Sequence, residues 1–238
     1  MTKVLAINGS ARMEKGYTRK MLNAFLEGMK EEDATIDLVY AKRLKIRPCL
    51  GDFDCWYEKV GECVQVDDMQ DLYAKLRGTD ILVLAIPIYL PLPGELQNLL
   101  NRLMPLVEPI LEFRDGRTRA HFHDNVKISK IVLVTVGGWW EKGNADTVIR
   151  IVEEIAKDVG VEFSGALTRP HAFLLNENEE KAKLVLDAAK KAGAQLVREG
   201  KMSEELLQSV SQPLISEEDL RERYNKMYQK AKKSTMES

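Results

Sequence analysis

Apolar residues fall along this chain in short blocks separated by longer amphipathic stretches, a pattern that predicts strands alternating with helices. Lys3-Val4-Leu5-Ala6-Ile7-Asn8 reads as a short buried strand. From Arg19 onward Met21, Leu22, Phe25, Leu26 and Met29 recur at helical spacing, and the helix breaks down in the charged turn Lys30 to Asp33. Thr35 to Tyr40 alternates as a second strand, whereas Ala41 to Asp67 has no sustained period and reads as a long loop. Asp67 or Asp68 can cap a helix through Leu72 and Leu76 that ends at Gly78. Ile81 to Ile86 is continuously apolar, the mark of a central parallel strand covered on both faces, and Pro87 to Pro93 forms a loop before a helix from Gly94 to about Val107.

Glu108 to Lys127 is polar and without a period, so an irregular segment is expected there. Ile128 to Val136 follows as a fourth strand, Gly137 to Gly143 as a loop, Ala145 to Asp158 as an amphipathic helix, Val161 to Leu167 as a fifth strand and Glu177 to Glu199 as a long helix. Alternation of this kind demands parallel pairing with right-handed crossovers, hence an α/β, doubly wound, parallel five-stranded sheet over residues 1–200. Residues 201–238 form an expected helical C-terminal extension in which Gln212-Pro213 splits two short helices. It could wrap its own domain or reach a partner subunit. In an open parallel sheet the ligand lies outside the carboxyl ends of the strands, where the loops after the first, third and fourth strands should converge.

Composition narrows the classes of function. A 45% hydrophobic content with 35 basic against 37 acidic residues, net charge -2, describes a soluble globular protein with no basic face for nucleic acid. The most apolar run, Ile81 to Pro93, is interrupted by three prolines and is too short for a membrane helix. The chain enters its first strand at once, leaving no room for a signal peptide, and its three cysteines suit a reducing compartment, so a cytoplasmic location is expected.

The stretch Gly9-Ser10-Ala11-Arg12-Met13-Glu14-Lys15-Gly16-Tyr17-Thr18 joins the first strand to the first helix. Such a turn offers backbone N–H groups and the positive end of a helix dipole; Ser10, Tyr17 and Thr18 add hydroxyl donors and Arg12 a fork matched to phosphate oxygens. A phosphate monoester is the expected occupant, the competing reading being an ordinary strand-to-helix turn capped by Thr18. Neither the Gly-Lys-Ser/Thr of a Walker loop nor the three glycines of a dinucleotide fingerprint are present.

What remains, G-S-x-R followed by G-x-T, resembles the phosphate loop of the flavodoxin-like NAD(P)H-dependent FMN reductases. Members often read G-S-x-R-x-x-G-N-T; here one more residue precedes Gly16, and Tyr17 stands in place of Asn. Pro87-Ile88-Tyr89-Leu90-Pro91-Leu92-Pro93-Gly94-Glu95-Leu96 resembles the family's P-x-Y loop ending in P-G-x-L, shortened by a residue. Gly137-Gly138-Trp139-Trp140-Glu141, together with Arg169-Pro170-His171, resembles one branch of the same family. The resemblance implies a sheet of order 2-1-3-4-5, bound FMN, and transfer of electrons from NAD(P)H to a flavin, quinone or other small acceptor. It implies FMN contacts from Ser10, Arg12, Gly16, Tyr17 and Thr18 at the phosphate, from Pro87, Ile88, Tyr89 and Leu90 along the ring, and from Gly137, Gly138, Trp139 and Trp140 at its edge or mouth.

Each feature has a plainer reading beside the functional one. Proline-rich loops also simply end strands, and loop tryptophans also pack in cores or interfaces. His171 reads as a surface or strand-end residue rather than a catalyst. Arg114, Arg117, Arg119, His121 and His123 could receive the phosphates of NAD(P)H, with a solvated loop as the reading preferred. No Ser-His-Asp set or metal triad is visible and no catalytic residue is assigned, which suits a reaction whose chemistry belongs to the cofactor.

Cys49-Leu50-Gly51-Asp52-Phe53-Asp54-Cys55, then Cys63, resembles the C-x2-C-x2-C plus fourth Cys of iron-sulfur flavoproteins, with Asp52 at the second position. A cluster wants four thiolates, and a carboxylate is a poorer ligand for iron, so the reading adopted is a loop without a cluster, with Cys49, Asp52, Cys55 and Cys63 as the ligands of the alternative. Zinc is weaker still, because the spacing is irregular for a structural site. The other class of function is a non-enzymatic electron-transfer flavoprotein, with or without that cluster, docking protein partners. A homodimer or homotetramer is expected in either case, because the shortened Tyr89 loop under-covers a planar ring and the Trp139-Trp140 pair and cysteine loop supply surface a monomer would expose.

Overall fold

β3 (Ile81–Pro87) is buried at every position, as a strand covered on both faces must be. In the computed structural model, which describes residues 1–236, it lies at the centre of a parallel sheet. Its neighbours are β1 (Lys3–Asn8), β2 (Thr35–Tyr40), β6 (Lys130–Val136) and β7 (Glu162–Arg169), in the order β2-β1-β3-β6-β7. Every pairing in this sheet is parallel. Counting only its own strands the order is 2-1-3-4-5, the flavodoxin-like arrangement that the resemblance implies.

Residues alternate strictly between the two faces. Val4, Ala6, Val83 and Val134 meet α1 (Tyr17–Glu31) and α6 (Glu179–Glu199), while Leu5, Ile7, Leu84 and Leu133 meet α3 (Met69–Arg77), α4 (Gly94–Asn101) and α5 (Asp146–Asp158). A single-turn helix, α2 (Asp54–Tyr57), interrupts the long loop between β2 and α3. Asp68 occupies the cap position of α3 without a side-chain bond, and it is Asp67, one residue earlier, whose carboxylate accepts the N–H of Met69 at 3.1 Å. The extension contains α7 (Glu204–Ser211) and α8 (Glu217–Met236); the second is a long helix rather than the short one expected, and residues 237 and 238 of the extension lie outside the described residues.

Two further elements correct the sequence reading. Residues 107–122 are not irregular: β4 (Val107–Arg114) and β5 (Arg117–Phe122) form an antiparallel hairpin closed by Asp115 and Gly116, both at positive φ. Asp-Gly is the residue pair such a turn prefers, but Pro109, a register shift between Glu108 and Glu112 and the surrounding charge hide the alternation. Arg117 is exposed and pairs with Glu154 at 3.1 Å, but the other two arginines there are neither solvated nor free to receive phosphates. Arg114 donates to the carbonyls of Ala120 and Lys157 at 2.8 and 2.9 Å, and Arg119 is buried against Glu154 and Asp158. The helix after Pro93 ends at Asn101, with the chain turning through Met104–Leu106 before the hairpin.

α1 and α6 approach until their backbones touch. A Cβ on Gly28 would stand 1.7 Å from the Lys190 carbonyl oxygen, and one on Gly193 would stand 2.0 Å from that of Phe25. Both obstacles are main-chain atoms that cannot swing aside. Gly28→Ala or Gly193→Ala should therefore separate the two helices and destabilise the protein by about 3 kcal/mol, at the upper end of overpacking costs, despite the better helix propensity of alanine. Urea denaturation of each variant checks this; an unchanged midpoint would mean that the helices have room to part.

Candidate functional site

The phosphate-type loop folds tightly at the carboxyl end of β1. Asn8 turns its side-chain oxygen to accept the N–H of Ser10 at 2.8 Å, and Ser10 Oγ accepts the N–H of Arg12 at 3.3 Å. Ser10, Gly16 and Thr18 are buried, while Arg12 is exposed and carries its guanidinium 5.8 Å from the centre of the Tyr17 ring. The first N–H groups of α1 have no intrahelical acceptor, so the loop presents donors and positive potential to the same point. The amide nitrogen of Asn8, buried beneath the loop, has no partner among the described residues. A phosphate group fits this donor set, which would bind it through the α1 amides, the Ser10 and Thr18 hydroxyls and Arg12. Thr18 does not cap the helix: the cap position is Gly16, which has no side chain to offer.

The other two loops arrive at this edge through close contacts. A Cβ on Gly9 would stand 2.7 Å from the Leu96 side chain of α4, and one on Gly137 would stand 3.1 Å from the Ile88 side chain, so the first loop packs closely on the helix that follows the second, and the third loop on the second. Ile88 donates its N–H to Val136 at 2.9 Å, tying the second loop to the end of β6. Beyond that tie Tyr89 is half exposed and Leu90 wholly exposed. In the third loop Trp139 is 72% exposed, whereas Trp140 packs on the core and donates its indole N–H to the Ile215 carbonyl at 2.9 Å. The thirteen sequence-predicted residues thus lie on three loops at one end of the sheet, with the exposed aromatic and apolar side chains Tyr89, Leu90 and Trp139 outermost.

Three parts of this edge were not read from the sequence. His171 is neither at the surface nor solvated: it is fully buried, and burial together with the charge of Arg169 pushes its imidazole down to about 4, leaving it neutral at physiological pH. Tyr224 of α8 reaches back to donate its hydroxyl to the Gly138 carbonyl at 3.2 Å. Between α8 and the third loop opens a cavity of about 400 Å³ lined by Trp139, Trp140, Leu220, Arg221 and Tyr224. The spacing of Leu220 and Tyr224, four apart, was the available signal for a helix face turned toward the loop.

The cysteine loop is a separate place. Cys49, Asp52, Cys55 and Cys63 line a cavity of about 220 Å³ against α4 and the turn after it. Its floor is Arg102, 1% exposed, paired with Asp67 at 2.8 Å and donating to the Arg47 carbonyl at 2.9 Å. Burial alone would raise the Asp67 carboxyl, but hydrogen bonds from Arg102 and from the amides of Arg47 and Met69 outweigh it and hold the group below the usual carboxylate range. The donors are three thiols and one carboxylate, and among the described residues no three such side chains are placed to hold a metal ion. With one thiolate replaced by a carboxylate, the set is a poor fit to an iron-sulfur cluster, which takes four soft ligands.

A doubly wound parallel sheet with a phosphate-type loop at its switch point defines the flavodoxin-like class. Residues 2–121 match the NADPH-dependent FMN reductase family, and the chain belongs to it. An iron-sulfur flavoprotein of Archaeoglobus fulgidus is 33% identical over 104 residues, which are 43% of this chain and 46% of that protein. The chain spans about half the length of the curated relatives it matches. An FMN-dependent NADH-azoreductase from Bacillus anthracis, solved with FMN, superposes with a TM-score of 0.57 at 14% identity, covering 83% of this chain and 100% of that one. An NAD(P)H:quinone oxidoreductase from Methanothermobacter marburgensis gives 0.57 at 18% identity, over 82% and 98% of the two chains. At such identities the superpositions speak for the fold.

Burial pushes the Cys55 thiol up to about 11, with the charges of Cys63, Asp52 and Cys49 adding to it. At pH 8 its thiolate fraction is then about a hundredfold below that of an ordinary thiol, and it rises only as the pH approaches 11. Iodoacetamide labelling of the native protein followed by mass spectrometry should find Cys55 labelled far more slowly than after denaturation. Equal rates in the two states would show that the cavity does not enclose it.

Proposed function

We propose that this protein is an FMN-dependent oxidoreductase that passes electrons from NAD(P)H to a flavin, quinone or other small acceptor, with residues 1–200 as the FMN-binding domain and 201–238 as an appended extension. The convergence of the three loops carries the reading. The buried Ser10 and the exposed Arg12 of the first loop, and the glycine backbone of the third loop packed on Ile88 of the second, support it. A flavin supplies two-electron chemistry, accepting hydride at one face and passing electrons on; the protein's part is binding, orientation and exclusion of water. Arg12 and the α1 amides would hold the phosphate and fix the depth of the ring. The backbone beside Ile88, Tyr89 and Leu90 and that of Gly137 and Gly138 would line it, with Trp139 over the mouth. Flavin alone is the resident cofactor in this reading, since the cysteine cavity offers a poor set of cluster donors.

A visible absorption spectrum of purified protein, followed by NAD(P)H addition under anaerobic conditions, is the test. Flavin bands that bleach on addition support the enzyme; reduction only by a protein donor would favour an electron carrier, and a broad iron-sulfur absorbance with stoichiometric iron and sulfide would overturn the cluster-free reading. Arg12→Ala should leave the fold intact and weaken FMN binding roughly tenfold to a hundredfold, the worth of charge-assisted hydrogen bonds of about 1.5 to 3 kcal/mol. Flavin titration of the apoprotein measures it, and an unchanged dissociation constant would remove Arg12 from the site.

A homodimer or homotetramer belongs to the same reading. Tyr89, Leu90 and Trp139 at the flavin edge and Ile110, Leu111 and Phe113 on the hairpin are exposed apolar surface, more than scattered single residues. Sedimentation at micromolar concentration should find no stable monomer with FMN bound.

A further inference from the structure

The third loop and the C-terminal extension grip the same four residues from opposite sides. On the loop side the grip is main chain: Gly137 donates its N–H to the Arg169 carbonyl at 3.0 Å, His171 to that of Trp139 at 2.9 Å, and Ala172 to that of Gly137 at 2.9 Å. On the extension side it is the Arg169 and His171 side chains. Arg169 Nη1 donates to the Val210 carbonyl at 2.7 Å, Nη2 to that of Gln212 at 2.8 Å, and Nε to its neighbour Pro170 at 2.8 Å. Nη2 also lies 3.1 Å from His171 Nε2, which accepts the Leu214 N–H at 3.1 Å as well. Two more bonds close the circuit directly, from the Trp140 indole to Ile215 and from the Tyr224 hydroxyl to Gly138.

Arg169 is fully buried and makes no ion pair among the described residues. Burial without a carboxylate pulls its guanidinium down to about 10, which still leaves it charged at neutral pH. A cation so placed is a poor device for stability, because an apolar side chain of similar volume would avoid its desolvation cost. What a guanidinium does that an apolar side chain cannot is hold several carbonyls at fixed angles at once. Here two of those carbonyls, of Val210 and Gln212, belong to the end of α7 and the turn that follows it.

We propose that Arg169 is a positioning residue that couples the seating of residues 210–215 to the geometry of the Gly137–Trp140 loop. The consequence for the flavin edge rests on the function proposed above; the coupling of extension to loop does not. It gives the extension a role in the site without contact to the cofactor. Loosening the turn at Gln212-Pro213 releases Arg169 and His171, and with them the strand end to which Gly137 and Trp139 are bonded.

Amide hydrogen exchange on the intact apoprotein separates coupling from packing. Arg169→Met keeps the volume and loses the fork; Arg169→Lys keeps the charge and loses the fork. Both should speed exchange of the Gly137, His171 and Ala172 amides about tenfold, the loss of about one hydrogen bond's worth of protection, while β1 and β3 exchange as in the unmodified protein. The FMN dissociation constant of both should rise about tenfold. Unchanged exchange at those three amides overturns the proposal, and so does an equal acceleration in β1 and β3, which would make Arg169 a general stabilising residue. Should neither variant fold, Leu214→Pro removes the N–H given to His171 from the extension's side and must produce the same local pattern. If the unmodified protein binds no FMN the functional reading falls, and the exchange result still decides the coupling.

Discussion

The close crossing of α1 and α6, at Gly28 against Lys190 and at Gly193 against Phe25, sets where everything at the carboxyl edge can be. Two helices whose backbones touch cannot slide or rotate without opening a gap, so α1 and α6 are fixed relative to each other more tightly than interlocking side chains would fix them. The amino end of α1 is the phosphate-type loop, and the carboxyl end of α6 leads into α7 and the extension. One crossing thereby positions both the loop proposed to anchor a phosphate and the arm that closes on the third loop. The sheet supplies the platform, but these two helices determine how the first loop and the extension face each other across its edge.

Electrostatics at that edge is arranged for binding rather than for proton transfer. Asn8, Ser10 and Thr18 are buried and neutral, Arg12 is outside and charged, and the only histidine nearby, His171, is held neutral by burial with its lone pair spent on the extension. Such a site can orient a reactive group and exclude water, and it leaves bond-making to whatever is bound.

How far this was legible from the sequence follows from where the signals were local. The five strands of the main sheet and the three loops could be read because each is a contiguous run whose apolar pattern or glycine-proline punctuation is set by neighbours in the chain. β4 and β5 escaped because their alternation is broken by Pro109 and a register shift, and because Arg114 and Arg119 look solvated until α5 supplies their acceptors from more than thirty residues away. His171 escaped for the same reason: nothing within ten residues of it hints that Leu214 will donate to its ring. The touching glycines were present as letters, but an isolated glycine inside a helical pattern does not announce which backbone it admits.

The cysteine loop is where resemblance and geometry part. Its walls are held by ordinary protein contacts: Arg102 joins Asp67 to the Arg47 carbonyl, Gln65 donates to Pro48 at 2.9 Å, and the Trp56 indole donates to Met104 at 3.1 Å. Asp52 stands where the resembled pattern has its second cysteine, so three thiols and one carboxylate face this cavity, and a carboxylate is a harder, poorer ligand for iron than a thiolate.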